Sequence, residues 1–301
     1  NINDNYNVTS MPELPEVETV KLGLRQFMPG LVISKTKSDW PKSFPNSPSD
    51  VKKFMIGSEV LDIRRRAKVL MIDLSSGYSL VIHLKMTGQL VFRGKQSFGA
   101  GHPTDSLIGE LPDKSTRVTV EFTNGSKLFF NDQRKFGWMR LIPTDEIPNI
   151  GFMQKVGPEP LGSSFSLPLF TDCLMKRKNS NIKTALLDQS VIAGIGNIYA
   201  DESLFCAGIH PSSIVSAIPK ARLKRLHDCL IRVLKLSIEK GGSTDKNYVN
   251  AEGKKGSYIE FAKVFRKEHQ PCPKCGREII KIRVACRGTH VCIKDQKLYE
   301  K

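Results

Sequence analysis

The stretch Val69-Leu70-Met71-Ile72-Asp73-Leu74-Ser75-Ser76-Gly77-Tyr78-Ser79-Leu80-Val81-Ile82-His83-Leu84 decides the fold of the first half of this chain. Two apolar runs of strand length flank Ser76-Gly77, a turn signal, and so read as an antiparallel pair. The same pattern continues outward on both sides. Leu31–Ser34 and Val60–Arg64 precede the pair, while Arg117–Phe122 and Lys127–Asn131 follow it, joined through Asn124-Gly125. Residues 94–116, rich in Gly, Ser, Pro and Asp, read as one long loop. Ahead of the strands, Val17–Phe27 has helical apolar spacing, with acidic residues at its start where the helix dipole favours them. These signals predict a β-sandwich that carries an N-terminal helix.

The grammar changes after a proline-rich passage from Pro143 to Pro160, the best domain boundary in the chain. Phe170–Lys178, Ile182–Asp188, Ile198–Ala207 and Pro219–Lys240 all have helical period. They are followed by Gly241-Gly242, a polar loop and a basic, cysteine-bearing tail. The fold class is therefore α+β, with a β half followed by a helical half.

The chain has 301 residues and a net charge of +16. That length supports two separate cores. The charge calls for a polyanionic partner, and nucleic acid is the natural candidate, because lysine and arginine on phosphates release counterions. No apolar run approaches the ~18 residues of a membrane span. Residues 254–301 alone hold 13 Lys/Arg against 5 Asp/Glu. Of the 7 cysteines, Cys173, Cys206 and Cys229 lie singly in helical patterns and read as reduced core residues.

Chemistry concentrates first at Met11-Pro12-Glu13-Leu14-Pro15-Glu16-Val17-Glu18. Removal of Met11 would leave Pro12 as a terminal secondary amine, which titrates near ~8 and is far more nucleophilic at neutral pH than lysine. Glu13 beside it is suited to proton transfer. The ten residues ahead of Met11 are expected not to belong to the working enzyme. Retained, they would turn the Pro12 nitrogen into an amide and leave a catalytically inactive DNA-damage-binding homologue.

The Met11–Glu18 segment resembles the N-terminus of the formamidopyrimidine-DNA glycosylases, and the resemblance runs through residues 11–294. Arg65-Arg66-Ala67-Lys68 resembles the family's strand motif, in which the lysine (here Lys68) assists β-elimination. His83-Leu84-Lys85-Met86-Thr87-Gly88 and Asp132-Gln133-Arg134-Lys135-Phe136-Gly137 resemble its intercalation loops. Met86 and Phe136 are apolar wedges for the gap left by an everted base, and Arg134 is a partner for the orphaned base. Gly194-Ile195-Gly196-Asn197-Ile198-Tyr199-Ala200-Asp201-Glu202 resembles the helix–two-turn–helix signature. Its glycines would expose N–H groups to a phosphate, with Asn197 capping the helix and reaching that phosphate. Gly241 to about Ser257 resembles the loop that covers an everted oxidised purine. Together with Leu14, it favours the purine branch over the endonuclease VIII branch.

The tail departs from the family pattern. Cys272, Cys275 and Cys292 match three positions of its zinc ribbon, but Asp295 stands at the fourth. One Zn2+ per chain held by Cys272, Cys275, Cys292 and Asp295 competes with Cys286 or His290 as the fourth ligand, and with a metal-free hairpin. Arg287 occupies the family's phosphate-clamping position. Lys114-Ser115-Thr116-Arg117 lacks the family's frequent histidines, leaving Arg117 as the expected phosphate contact.

The resemblance implies a catalytic β-sandwich over 11–145, a hinge over 146–160 and a helix–two-turn–helix domain over 161–262. Within the last lies the lesion-capping loop, 241–257, and a ribbon hairpin follows over 263–301. It further implies a monomeric, cytoplasmic, nucleoid-associated bacterial DNA-repair enzyme without redox or nucleotide cofactor. The enzyme would remove oxidised purines from double-stranded DNA and cleave at the abasic site, with Pro12 as nucleophile, Glu13 as acid/base and Glu16 as a positioning group.

Overall fold

The computed structural model describes residues 11–102, 104–243 and 258–300. Residues 1–10 and most of the expected lesion-capping loop, 244–257, lie outside the described residues. The elements run α1 (Leu14–Leu24), β1 (Ile33–Ser38), α2 (Pro48–Asp50), β2 (Val60–Arg66), β3 (Val69–Leu74), β4 (Tyr78–His83), β5 (Gly88–Arg93), β6 (Ser97–Gly101), β7 (Thr116–Phe122), β8 (Lys127–Asp132) and β9 (Trp138–Pro143). They continue with α3 (Gly151–Lys155), α4 (Leu167–Met175), α5 (Ile182–Leu187), α6 (Asn197–Ala207), α7 (Lys220–Glu239), α8 (Tyr258–Phe261), β10 (Ile280–Val284) and β11 (Arg287–Val291).

Two antiparallel sheets, ordered β2-β3-β4-β9 and β1-β7-β8-β5-β6, make the sandwich. Leu70, Ile72, Leu80 and Ile82 of the first face Leu90, Val120, Leu128 and Phe130 of the second, and Val17, Val20 and Leu24 of α1 complete this core. The alternate residues Val69, Met71 and Val81 are buried on the opposite face against Ile147 and Met153. With both faces covered, β3 and β4 read as near-continuous apolar runs rather than as clean alternations. A second core gathers Phe170, Ile182, Ile198, Leu204, Leu226, Leu230 and Leu234 from α4 to α7. The hairpin β10-β11 stands beside it. No helix among the described residues is long and apolar enough to cross a membrane.

Three strands escaped the sequence reading, and the first was displaced toward Ser38. Residues 94–116 are not one loop: β6 lies within them and pairs with β5. Its glycines suggested a turn, but they serve close packing. A Cβ on Gly101, at φ +121°, would lie 2.5 Å from the Gly88 carbonyl. Across the sheet face, the Phe98 ring fills the space a side chain on Gly23 would need, 2.0 Å from its ideal Cβ. Strand β9 was hidden behind the Phe136-Gly137 turn and pairs with β4. The cysteine reading is corrected as well. Cys206 and Cys229 are joined by a disulfide linking α6 to α7, while Cys173 is buried and free.

Candidate active site and DNA-contact turns

Pro12, Glu13 and Glu16 are all buried at the start of α1, where the sandwich meets the helical half. The Glu16 carboxylate accepts from the Glu13 backbone N–H (2.9 Å), from the Tyr199 hydroxyl (2.6 Å) and from the Ser243 backbone N–H (2.7 Å). Tyr199 also pairs with Ser237 at 2.6 Å. Glu16 thereby binds the start of α1 to α6 and to Ser243.

Glu13 holds the N-terminus of α6 itself. Its Oε1 accepts from the Ile198 backbone N–H at 3.0 Å, while its Oε2 is buried with no partner among the described residues. Burial holds the Glu13 carboxyl up at about 7; Lys68 opposes that rise and Glu16 adds to it, while the N–H groups of Ile198 and Tyr199 pull it down. A proton is thus shared with solvent near neutral pH, which suits a group that must both give and take one.

This corrects part of the reading of Gly194-Ile195-Gly196-Asn197. The glycines make room for Leu14 and Glu13. A Cβ on Gly196 would lie 2.3 Å from the Glu13 carboxyl carbon, and one on Gly194 (φ +80°) 2.6 Å from the Leu14 Cβ. The Leu14 N–H bonds the Gly194 carbonyl at 3.0 Å. Asn197 does not cap α6, whose N-cap is Gly196. Instead the Asn197 amide donates to the Gly288 carbonyl at 3.1 Å, tying the helix start to the turn that bears Arg287.

Lys68 follows the β2–β3 turn and is 6% exposed, with Nζ 2.9 Å from the Ile195 carbonyl. Burial lowers its pKa, Glu13 and Glu16 push it back up, and Arg287 lowers it further. Lys183 was passed over in the sequence as one lysine in an apolar helical pattern. It is fully buried on Asp201 (2.6 Å) and Thr289 (2.7 Å); burial lowers its pKa, Asp201 opposes that, and Arg287 adds to it. The buried Lys68 and Lys183 and the exposed Arg287 thus set positive charge around Glu13.

The turns carrying Met86 and Phe136 are tied to each other. The Asp132 carboxylate, fully buried, accepts from Thr87 Oγ1 and from the backbone N–H groups of Arg134 (3.2 Å) and Gly137 (2.6 Å). Phe136 projects with 57% exposure, and the Arg134 guanidinium lies 5.0 Å from its ring. Met86 is half-buried in the facing turn. Among the described residues, four of the seven non-glycine residues at positive φ stand directly before a candidate contact: Ala67 before Lys68, Lys85 before Met86, Lys135 before Phe136 and Cys286 before Arg287. Left-handed backbone is costly for such residues, and it persists only where the surroundings enforce it.

Arg117 does not fill the expected phosphate role. It is 5% exposed, and its guanidinium is spent on Asp39 (2.6 Å), the Asp132 carbonyl (3.0 Å) and the Lys114 carbonyl. At the far end of the chain, ligand atoms of Cys272, Cys275, Cys292 and Asp295 lie within 4.8 Å of one another. Asp295 Oδ2 is 3.0 Å from Cys272 Sγ and 3.4 Å from Cys292 Sγ, and the Cys275 and Cys292 sulfurs are 3.5 Å apart. Those separations match the edges of a small tetrahedral site, so these residues can hold a metal ion. The alternative fourth ligands point elsewhere: His290 faces Asp201 and Glu268, and Cys286 is exposed at the hairpin tip.

A basic two-core molecule with a partnered acid buried at the start of α1, and two turns tied together through Asp132, fits a DNA glycosylase of base excision repair. The comparisons agree throughout. The model of the formamidopyrimidine-DNA glycosylase N-terminal domain matches residues 11–139, and that of the H2TH domain matches residues 156–248. Formamidopyrimidine-DNA glycosylase of Streptococcus pyogenes is 40% identical over 95% of this chain and 99% of its own length. That of Pelotomaculum thermopropionicum is 37% identical over 96% and 100%. Among solved structures, a mutant of Lactococcus lactis Fpg bound to Fapy-dG containing DNA superposes with a TM-score of 0.83 at 34% identity, over 95% of this chain and all of that one. The Lactococcus lactis Fpg complex with abasic-site DNA also gives 0.83, at 33% identity over 95% and 99%. The chain belongs to the formamidopyrimidine-DNA glycosylase family.

Proposed function

We propose that this chain excises oxidised purines, 8-oxoguanine and formamidopyrimidines, from duplex DNA and then cleaves the strand by β,δ-elimination. The observation that carries the reading is Glu13: buried beside Pro12, one oxygen held by α6 and the other without a partner among the described residues. With its amine free, Pro12 attacks the sugar C1′ while protonated Glu13 delivers its proton to the sugar ring oxygen. The base leaves, an iminium links Pro12 to the opened sugar, and loss of the C2′ proton expels the 3′ phosphate. A second elimination releases the 5′ phosphate.

Glu16 positions the amine through the Glu13 backbone. Lys68, Arg287 and Asn197 hold the phosphates that flank the lesion, and the buried Lys68 ammonium assists elimination. Met86, Phe136 and Arg134 fill and read the gap left by the everted base. Zinc is the metal that Cys272, Cys275, Cys292 and Asp295 would take, fixing the hairpin that presents Arg287. Arg117 has no DNA contact in this scheme. The working enzyme is a monomer acting on the nucleoid in the bacterial cytoplasm.

The test is borohydride trapping on an 8-oxoguanine duplex, using one form that begins at Pro12 and one that retains the residues before it. An adduct mapped to the Pro12 amine, in the trimmed form alone, is the expected result. Lesion binding without an adduct in either form would overturn the proposal.

A further inference from the structure

Asp39 and Trp40 take no part in the scheme above, yet Trp40 lies against the Phe136 turn and Asp39 connects to it through Arg117. The segment they open is laid along β9, the strand that leaves that turn. Met139 N–H donates to the Ser43 carbonyl at 2.8 Å, and Leu141 N–H donates to Asn46 Oδ1 at 2.8 Å. From this fixed base two tethers run to opposite ends of the turn. The Asp39 carboxylate holds Arg117 at 2.6 Å, and Arg117 Nε donates to the Asp132 carbonyl, where the turn begins, at 3.0 Å. The Trp40 ring lies 4.4 Å from the Lys135 ammonium, between Arg134 and Phe136. Lys135 is the left-handed residue of the turn, at φ +59°. The Trp40 indole N–H is buried with no partner among the described residues, and the face of the ring is what Lys135 meets.

We propose that Asp39-Trp40 is a bracket for the wedge turn and that Trp40 is a positioning residue for base eversion. The inference rests on the glycosylase reading and deepens it. A wedge works only if it resists the stack that pushes back on Phe136, and a turn built on a strained lysine relaxes unless both ends are held. Cation–π attraction to Trp40 holds one end, and the Asp39–Arg117 pair holds the other. The bracket touches neither the sugar nor the base.

The test uses the form beginning at Pro12 and two substrates: 8-oxoguanine paired in a duplex, and an abasic site inside an unpaired bubble, where no stack has to be filled. Trp40→Leu should slow single-turnover excision from the duplex about tenfold and leave bubble cleavage within about twofold. Trp40→Phe, which keeps a ring face, should recover most of the loss. Adding Lys135→Met to Trp40→Leu should cost little more than either change alone, because both remove one interaction. Should Trp40→Leu fail to fold, Lys135→Met carries the same two-substrate comparison. Equal losses on both substrates, an unaffected duplex rate, or fully additive effects would each overturn the bracket. Failure of the unsubstituted chain to excise from the paired duplex would instead sink the glycosylase reading.

Discussion

The seam around Glu13 and the turns around Phe136 achieve precision by opposite means. At the seam everything is buried: Glu13 is 2% exposed and Glu16 6%, and each carboxylate is held by groups on α6 or beyond it. A proton donor needs this, because burial is what holds its pKa near 7. The wedge turns, proposed above to enter DNA, stand open at their tips, where burial cannot fix them. Left-handed backbone, a buried anchor at Asp132 and ring–cation contacts fix them instead. Enclosure sets the chemistry, and strain held from behind sets the reach.

Substitutions at the seam should have the largest effects. Glu13→Gln should lower base excision by about 10²–10⁴-fold while lesion-DNA affinity, measured by anisotropy, is retained. Gly196→Ala should follow with a loss on the order of 100-fold, because the new methyl displaces the Glu13 carboxyl. An unchanged rate in that variant would show that the glycine serves something other than this contact.

The pH profile sharpens the same contrast. A carboxyl held up at about 7 keeps its proton to neutrality, so single-turnover excision should fall as pH rises through 7. In Glu13→Gln that limb should vanish. Folding stability should follow the same sign. The contribution of this group is intact below the ordinary carboxylate range and is lost as pH rises through about 7.

Away from the seam the effects should shrink. Chelation, or Asp295→Ala, should lower the melting temperature by several degrees and weaken DNA binding, with metal content read by atomic absorption. An apo protein with unchanged melting and affinity would remove the metal from the account. Smallest of all, Arg134→Ala should leave excision opposite cytosine nearly intact and relax discrimination of the opposite base by about tenfold or less. Unaltered preference would assign the reading of that base to another residue.

The paired apolar runs, the helical periods of the second half and the Met11–Glu18 segment were readable because each signal is local: turn residues, alternation and period act within a few positions. The metal cluster was readable for the same reason, since cysteine spacing within one hairpin sets its geometry. Strand β6 was not legible, because Gly101 answers to Gly88 and Phe98 to Gly23 of α1 rather than to their neighbours in sequence. The packing of Gly194 and Gly196 on Leu14 and Glu13, and the cap at Gly196 in place of Asn197, were hidden for the same cause.

The sequence by itself determined the α+β class and singled out the candidate nucleophile and acid, the candidate wedge residues and the set of side chains that can hold a metal. Only the tertiary structure decided that Glu13 caps α6, that Arg117 is spent inside the fold, and that Lys183 lies buried beside the site. It also decided that Asp39 and Trp40 stand behind the wedge. Each of these rests on contacts between residues tens to hundreds of positions apart, where burial and charge depend on what the fold brings alongside.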